Sequence, residues 1–125
     1  MTRTLLAALS AASLLLAGTV AQADVIGTWL RESGASHVKF APCGGAICGH
    51  IVWLKPGIET PAKIGQRVFF DMKPAGANTW QGQAFNPEDG KTYTGKMSLS
   101  GSTLTTQGCV MGGMICKSST WTRAK

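Results

Sequence analysis

The chain has 125 residues, with 12 Lys and Arg against 6 Asp and Glu, 16 glycines and four cysteines. A chain of this length forms one small domain, which buries a modest share of its surface and benefits from covalent cross-links. Its basic residues are scattered and are not interleaved with aromatic ones, so the excess positive charge indicates a basic surface and excludes a nucleic-acid partner.

Residues 1–23 have the order of parts that is typical of a secretory signal peptide. Arg3 supplies a positive charge, an apolar stretch rich in Leu and Ala follows, and Ala21-Gln22-Ala23 fits a cleavage site. We predict cleavage after Ala23, a periplasmic or secreted product, and a single mature domain over residues 24–125. The apolar run is too short for a secure membrane span, so we expect no membrane-spanning segment.

The rest of the chain reads as a series of short strands separated by turn signals. Apolar and polar residues alternate in most segments, as in residues 91–99, and turns rich in Gly, Pro and Asn separate them. We predict a loop over residues 55–63 and a turn over residues 73–77. Eight strands are predicted, over residues 25–31, 37–41, 49–54, 65–72, 79–85, 91–99, 103–109 and 116–123.

Eight short sequential strands favour an all-β fold, a small antiparallel up-and-down barrel, because closure of the sheet removes exposed edges. The first and last strands are then neighbours. The first contains Gly27 and Trp29, and the last contains Trp121 and Arg123. We predict that the Arg123 guanidinium stacks on the Trp29 ring and seals one end of the barrel.

The four cysteines form two pairs with a Gly-Gly turn in each. In an exported protein such pairs favour disulfides, and we predict Cys43–Cys48 and Cys109–Cys116. Four zinc thiolates are the alternative, but the two hairpin turns would lie at opposite ends of the barrel, which disfavours a shared metal. A catalytic redox pair usually has the spacing Cys-x-x-Cys, which neither pair has. We therefore expect no metal site.

Several of these segments together resemble one known family. They are Gly27-Thr28-Trp29 and the stretches over residues 43–54, 86–93 and 108–123. In this combination the chain resembles the exported bacterial family called domain of unknown function 2147. The resemblance implies a lipocalin-like barrel of the calycin type, and it implies no established activity.

No catalytic motif is evident among the polar residues. His37 and His50 are placed on predicted strands, where solvent-facing side chains are the favoured interpretation and metal binding by the pair is the alternative. Glu88 and Asp89 are adjacent in a turn, where we expect turn chemistry and ordinary pKa values, although binding residues often occupy such loops. We therefore expect a protein that is not an enzyme and has no cofactor.

The function predicted is non-enzymatic binding of a small apolar or amphipathic ligand at the barrel mouth, by a monomer. The alternative is a periplasmic enzyme inhibitor or protein-interaction module, and a third hypothesis is a metal-dependent or hydrolytic enzyme. An open apolar interior would favour a ligand, and a filled interior with one protruding loop would favour an inhibitor.

The site is predicted from topology. In an up-and-down barrel, every second connection lies at the same end. This brings together the long loop that begins at residue 55, the acidic turn over residues 86–90 and the methionine turn over residues 110–115. Met111 and Met114 are interpreted either as core or as an adaptable apolar rim. The predicted ligand-binding residues are Pro56, Ile58, Glu88, Asp89, Lys91, Tyr93, Met111 and Met114.

Overall fold

The computed structural model describes residues 25–124. The predicted signal peptide and its cleavage site lie outside these residues. No helix among residues 25–124 has the length and hydropathy needed to cross a bilayer. The eight strands are β1 (Gly27–Arg31), β2 (Ser36–Cys43), β3 (Ala46–Leu54), β4 (Arg67–Gly76), β5 (Thr79–Asn86), β6 (Lys91–Ser100), β7 (Thr103–Val110) and β8 (Ile115–Arg123).

The strands form one closed barrel in sequence order. Each pairs antiparallel with the next, and β1 pairs with β8, so the predicted up-and-down barrel is confirmed. The β1–β2, β3–β4, β5–β6 and β7–β8 connections lie at one end, which we call the mouth end. The other three connections, the start of β1 and the end of β8 lie at the opposite end, which we call the closed end.

Strand β4 departs from the sequence prediction. The predicted turn over residues 73–77 is wrong, because β4 continues through Pro74 to Gly76. The pairing of β4 with β5 shifts register between Phe70 and Lys73 and again between Pro74 and Gly76, and Asp71 has a φ of 53°. These irregularities break the strict alternation by which a strand is recognised in a sequence.

A row of glycines crosses three neighbouring strands. Gly82 of β5 pairs with Gly95 of β6, which pairs with Gly108 of β7. A Cβ atom on Gly82 would lie 2.4 Å from the backbone oxygen of Asp71 on β4. Glycine at this position therefore lets β4 and β5 approach closely where the barrel wall bends.

The closed half of the barrel is filled with large apolar side chains, namely Trp29, Phe40, Met72, Met97 and Leu104, all fully buried. At this end Trp29 Nε1 donates a hydrogen bond to the Val25 carbonyl oxygen over 3.0 Å. Arg123 Nη1 donates to the Ile26 carbonyl oxygen over 2.8 Å, and its guanidinium stacks on the Trp29 ring. The predicted contact between Trp29 and Arg123 is thus present.

Both predicted disulfides are present. Cys109 and Cys116 are direct partners across the β7–β8 ladder, with Cα atoms 4.1 Å apart. Cys43–Cys48 runs diagonally across the β2–β3 hairpin, since Cys43 pairs with Ala46, and its Cα atoms are 5.6 Å apart. Each bridge closes one local hairpin, and the two hairpins lie at opposite ends of the barrel.

Candidate functional site

The mouth half of the barrel contains a cavity of about 640 Å³. Its inner surface is formed by side chains that point into the barrel from β2, β3, β4, β5, β7 and β8. Trp121 and Thr106 form part of it, and Trp121 Nε1 donates a hydrogen bond to Thr106 Oγ1 over 2.9 Å. The apolar members of this inner surface are Val38, Ile51, Val68, Phe69, Ala84 and Trp121.

The cavity exists because several inward positions in the mouth half carry small residues. Ala84 on β5 and Gly108 on β7 both line it. A Cβ atom on Gly108 would make an ordinary contact with the Tyr93 side chain at 3.7 Å and would meet no facing strand. In the closed half, Met97 and Leu104 on β6 and β7 fill the corresponding space.

Charged side chains surround the entrance on two opposite walls. Arg31 of β1 and Lys117 of β8 lie on one wall, and Arg31 Nη2 donates to Ser119 Oγ over 3.1 Å. Glu59 lies on the β3–β4 loop, and Glu88 and Asp89 lie on the β5–β6 turn. The strand order places these acidic residues across the mouth from the basic pair.

Asp89 and Tyr93 form the one titrating pair with shifted pKa values among the described residues. The Tyr93 hydroxyl donates a hydrogen bond to Asp89 Oδ2, and the Lys91 backbone N–H donates to Oδ1 over 2.9 Å. The Tyr93 hydroxyl, followed by this N–H, lowers the pKa of Asp89, and the same carboxylate raises the pKa of Tyr93. The expectation of an ordinary pKa for Asp89 is therefore wrong.

One hydrogen bond links the longest mouth loop, between β3 and β4, to the β5–β6 turn. Thr60 Oγ1 donates to Glu88 Oε2 over 2.6 Å, and the Ala62 backbone N–H donates to Thr60 Oγ1 over 3.1 Å. The bond ties the β3–β4 loop to the β5–β6 turn across residues that line the cavity. It gives Glu88 a structural partner at the entrance.

The structure brings half of the predicted site residues to the cavity. Ile58, Glu88, Asp89 and Tyr93 line it, and their contact with a ligand stays a prediction. The other four lie at the mouth end outside the lining, and they are Pro56, Lys91, Met111 and Met114.

The two methionines point away from the cavity because of the turn between β7 and β8. The segment Met111–Gly113 is a 3₁₀ turn, in which Met111 has a φ of 55° and Gly112 a φ of 69°. Met111 is 70% exposed and Met114 is 84% exposed, so the interpretation of these methionines as core residues is wrong.

Sequence reasoning missed the deeper part of the cavity. Val38 alternates with the polar residues His37 and Lys39, which predicts only that it points inward. Ile51 is followed by Val52, and Val68 by Phe69, so alternation does not identify these two as inward residues. Which inward residues line an open space depends on the small residues on the facing strands. Arg31 and Lys117 were also missed. Their place at the entrance follows from the pairing of β8 with β1 and β7, which the sequence alone does not give.

The histidines lie away from this site. The His37 ring lies 4.5 Å from the Trp53 ring, centroid to centroid, His50 is exposed, and neither residue lines the cavity. Within residues 25–124 no group of three or more His, Cys, Asp or Glu side chains is arranged to bind a metal ion.

The closed eight-stranded antiparallel up-and-down barrel is a lipocalin-like fold. A family model described as "Uncharacterized protein conserved in bacteria (DUF2147)" matches residues 27–123, and the chain belongs to this family. The fold is similar to a solved structure titled "Protein HP1028 from the human pathogen Helicobacter pylori belongs to the lipocalin family", with a TM-score of 0.63. That likeness covers 81% of this chain and 83% of the other at 21% sequence identity. No curated protein matches the sequence.

Proposed function

We propose that this protein binds a small apolar or amphipathic molecule in the mouth-end cavity and catalyses no reaction on it. The observation that carries the proposal is the open cavity of about 640 Å³ inside an otherwise filled barrel. Ligand pockets in proteins commonly measure roughly 300 to 1,000 Å³ and are mostly apolar with a few polar groups. An open interior is also the feature that separates a ligand carrier from an inhibitor that acts through one protruding loop.

The distribution of polar groups supports an amphipathic ligand. Val38, Ile51 and Val68 make the inner part of the cavity apolar, and burial of an apolar chain against them gives affinity. The charged residues lie at the entrance, where the polar end of the ligand remains in contact with water. Arg31 and Lys117 on one wall and Glu59 on the other orient that polar end.

The proposal of a binding protein rather than an enzyme is supported by the side chains around the cavity. Nucleophilic catalysis requires a base in contact with the nucleophile, and neither histidine of the chain lines the cavity. Of the carboxylates at the entrance, Asp89 accepts hydrogen bonds from Tyr93 and Lys91, and Glu88 accepts one from Thr60. These bonds stabilise the turn and the ionised form of Asp89, which is a poor general acid.

An exported location is part of the same proposal. Both disulfides are formed, and disulfides persist mainly in oxidising compartments such as the periplasm. We therefore propose that the protein acts outside the cytoplasm after removal of residues 1–23.

Native mass spectrometry of the protein purified from its own periplasm tests the proposal. We expect a second mass peak from a retained small molecule. The variant Ala84→Phe, which adds a ring inside the cavity, should lack that peak, and Thr122→Phe, which adds the same ring on the exposed face of β8, should retain it. A bare protein mass in all three samples, or a retained protein partner instead, would contradict the proposal.

A further inference from the structure

The exposed apolar side chains of the described residues are gathered at the mouth end. All seven large ones belong to the mouth-side half of β3, the β3–β4 loop or the β7–β8 hairpin. Four of them are consecutive around one turn, and we call Val110, Met111, Met114 and Ile115 the apolar tip. Met114 is 84%, Met111 70%, Ile115 60% and Val110 42% exposed. Contiguous exposed apolar surface of this kind marks an interaction site.

A disulfide and two hydrogen bonds hold the apolar tip in place. The Cys109–Cys116 disulfide closes its base, and the Met114 backbone N–H donates to the Val110 carbonyl oxygen over 3.1 Å. Lys96 Nζ on β6 donates to the Gly113 carbonyl oxygen, also over 3.1 Å. These bonds fix the turn in the conformation that exposes both methionines. The tip also adjoins the cavity, because Val110 and Ile115 line it.

The charged residues on the strands that carry the apolar tip are all basic. Residues 90–125, which include β6, β7 and β8, contain no Asp or Glu but contain Lys91, Lys96, Lys117, Arg123 and Lys125. Lys96 contacts the turn, and Lys117 is the first residue after the disulfide. An apolar tip whose own strands carry only basic residues is complementary to a surface with an apolar interior and an anionic face.

A second exposed apolar residue with basic neighbours lies at the mouth end. Ile64 of the β3–β4 loop is 66% exposed, and Lys63 and Arg67 flank it. The acidic groups nearest in sequence to the β6–β8 wall are Glu88 and Asp89, and Glu32 contacts β8, since the Thr120 backbone N–H donates to Glu32 Oε1 over 3.2 Å. Asp89 accepts hydrogen bonds from Tyr93 and Lys91, and Glu88 accepts one from Thr60.

We propose that the apolar tip inserts into an anionic lipid surface and brings the cavity mouth against it. The side chains of the tip enter the boundary between headgroups and acyl chains, and Lys96 and Lys117 remain at the level of the anionic headgroups. The bilayer thereby becomes the source or the destination of the ligand, and this second part rests on the proposed function. A protein partner would have to be both apolar and acidic to fit the same surface, whereas an anionic membrane combines the two properties by construction.

The test is sedimentation of the oxidised protein with vesicles of phosphatidylglycerol and phosphatidylethanolamine, compared with vesicles of phosphatidylcholine alone. We expect binding to the anionic vesicles that weakens as salt is added. The double variant Met111→Asn, Met114→Ser should bind the anionic vesicles at least about 10-fold more weakly, because two apolar side chains no longer insert. Asn is chosen at position 111 because it tolerates the positive φ there. Lys96→Gln should weaken binding about 5-fold.

The matched control is Val52→Ser, which removes an apolar side chain that is 40% exposed on β3, outside the apolar tip. It should bind vesicles like the unmodified protein. Equal sedimentation of the unmodified protein and the double methionine variant would overturn the proposal. Self-association of the unmodified protein without vesicle binding, lost in the double variant, would also overturn it and would make the tip an interface between copies.

A second measurement separates this proposal from the proposed function. The fluorescent apolar probe N-phenyl-1-naphthylamine should bind the unmodified protein and the double methionine variant equally in vesicle-free buffer. The reason is that Met111 and Met114 lie outside the cavity lining. Vesicle binding without probe binding would contradict the cavity function and leave the lipid contact standing. Probe binding without vesicle binding would contradict the lipid contact alone.

Discussion

The Arg123 guanidinium carbon lies 4.2 Å from the centroid of the Trp29 ring, and the two residues are direct partners across the β1–β8 ladder. The contact therefore joins the first strand to the last where the barrel closes. A Cβ atom on Gly27 would lie 2.8 Å from Arg123 Nη1, so the absence of a side chain there gives the guanidinium its place.

Removal of this contact should weaken the barrel. We predict that Arg123→Ala lowers the free energy of unfolding by about 1 kcal/mol or more, through lost stacking on Trp29 and lost packing of the Arg stem. Arg123→Lys retains the charge but lacks the planar group and should give an intermediate loss. Urea denaturation measures both, and an unchanged midpoint in the Ala variant would contradict the role given to this pair in closure.

Each disulfide should contribute independently to stability. In the chain-entropy model a bridge that closes so short a loop contributes about 2 kcal/mol. Replacement of Cys109 and Cys116 by Ser, or of Cys43 and Cys48 by Ser, should each lower the free energy of unfolding by about that amount. Peptide mapping without reduction checks the pairing itself. A peptide that joins Cys43 to Cys109 would refute both the pairing and the strand order.

Alanine substitutions at two glycines of the row should differ in their effect on stability. Gly82→Ala places a methyl group against the backbone of Asp71, and we expect a loss of about 1 to 3 kcal/mol in the free energy of unfolding. Gly108→Ala meets only the Tyr93 side chain at 3.7 Å and should cost less. Thermal unfolding compares the two variants, and equal losses would show that backbone approach is not what requires Gly82.

The Asp89–Tyr93 pair can be titrated directly, because Tyr93 is the only tyrosine of the chain. We predict that absorbance titration gives a Tyr93 pKa above the ordinary value of 10.0, and that Asp89→Asn returns it towards that value. The contribution that depends on the Tyr93 proton is fully present at pH values just below 10.0, and it is lost as the pH rises through the raised pKa of Tyr93. A midpoint of 10.0 or lower in the unmodified protein would contradict the hydrogen bond.

The stability contributed by Asp89 depends on pH in the opposite direction. Because the pKa of Asp89 is lowered from 3.8, its stabilising contribution is present above pH 3.8 and is lost as the pH falls through the lowered value. Tyr93→Phe removes the largest cause of the shift and should raise the pKa of Asp89, which carboxyl NMR signals report. No change in that pKa would assign the shift to the Lys91 backbone N–H instead.

The barrel was predictable because its strands keep the alternation of buried and exposed residues, as in Tyr93, Gly95, Met97 and Leu99 of β6. The disulfides were predictable because each pair flanks a local turn. The continuation of β4 through Pro74 was not, because bulges interrupt the alternation there.

The cavity was predictable in its location and not in its lining. Chain order alone brings Glu88, Asp89 and Ile58 to one end of an up-and-down barrel. The direction of Met111 depends on its positive φ, which the sequence indicates only through the neighbouring Gly112. The space beside Ala84 depends on the curvature of the wall, which arises from contacts between strands.

Entry of a ligand into the mouth half of the barrel can be observed by NMR of ¹⁵N-labelled protein titrated with a lipid extract. We predict shifts of the backbone signals of Ile51, Val68, Ala84 and Thr106 and of the Trp121 indole N–H. The same titration of Ala84→Phe should show these shifts weakened, and that of Thr122→Phe should show them in full. Shifts confined to Gly44, Gly45 and Gly101 at the closed end, or no shifts at all, would contradict ligand entry at the mouth end.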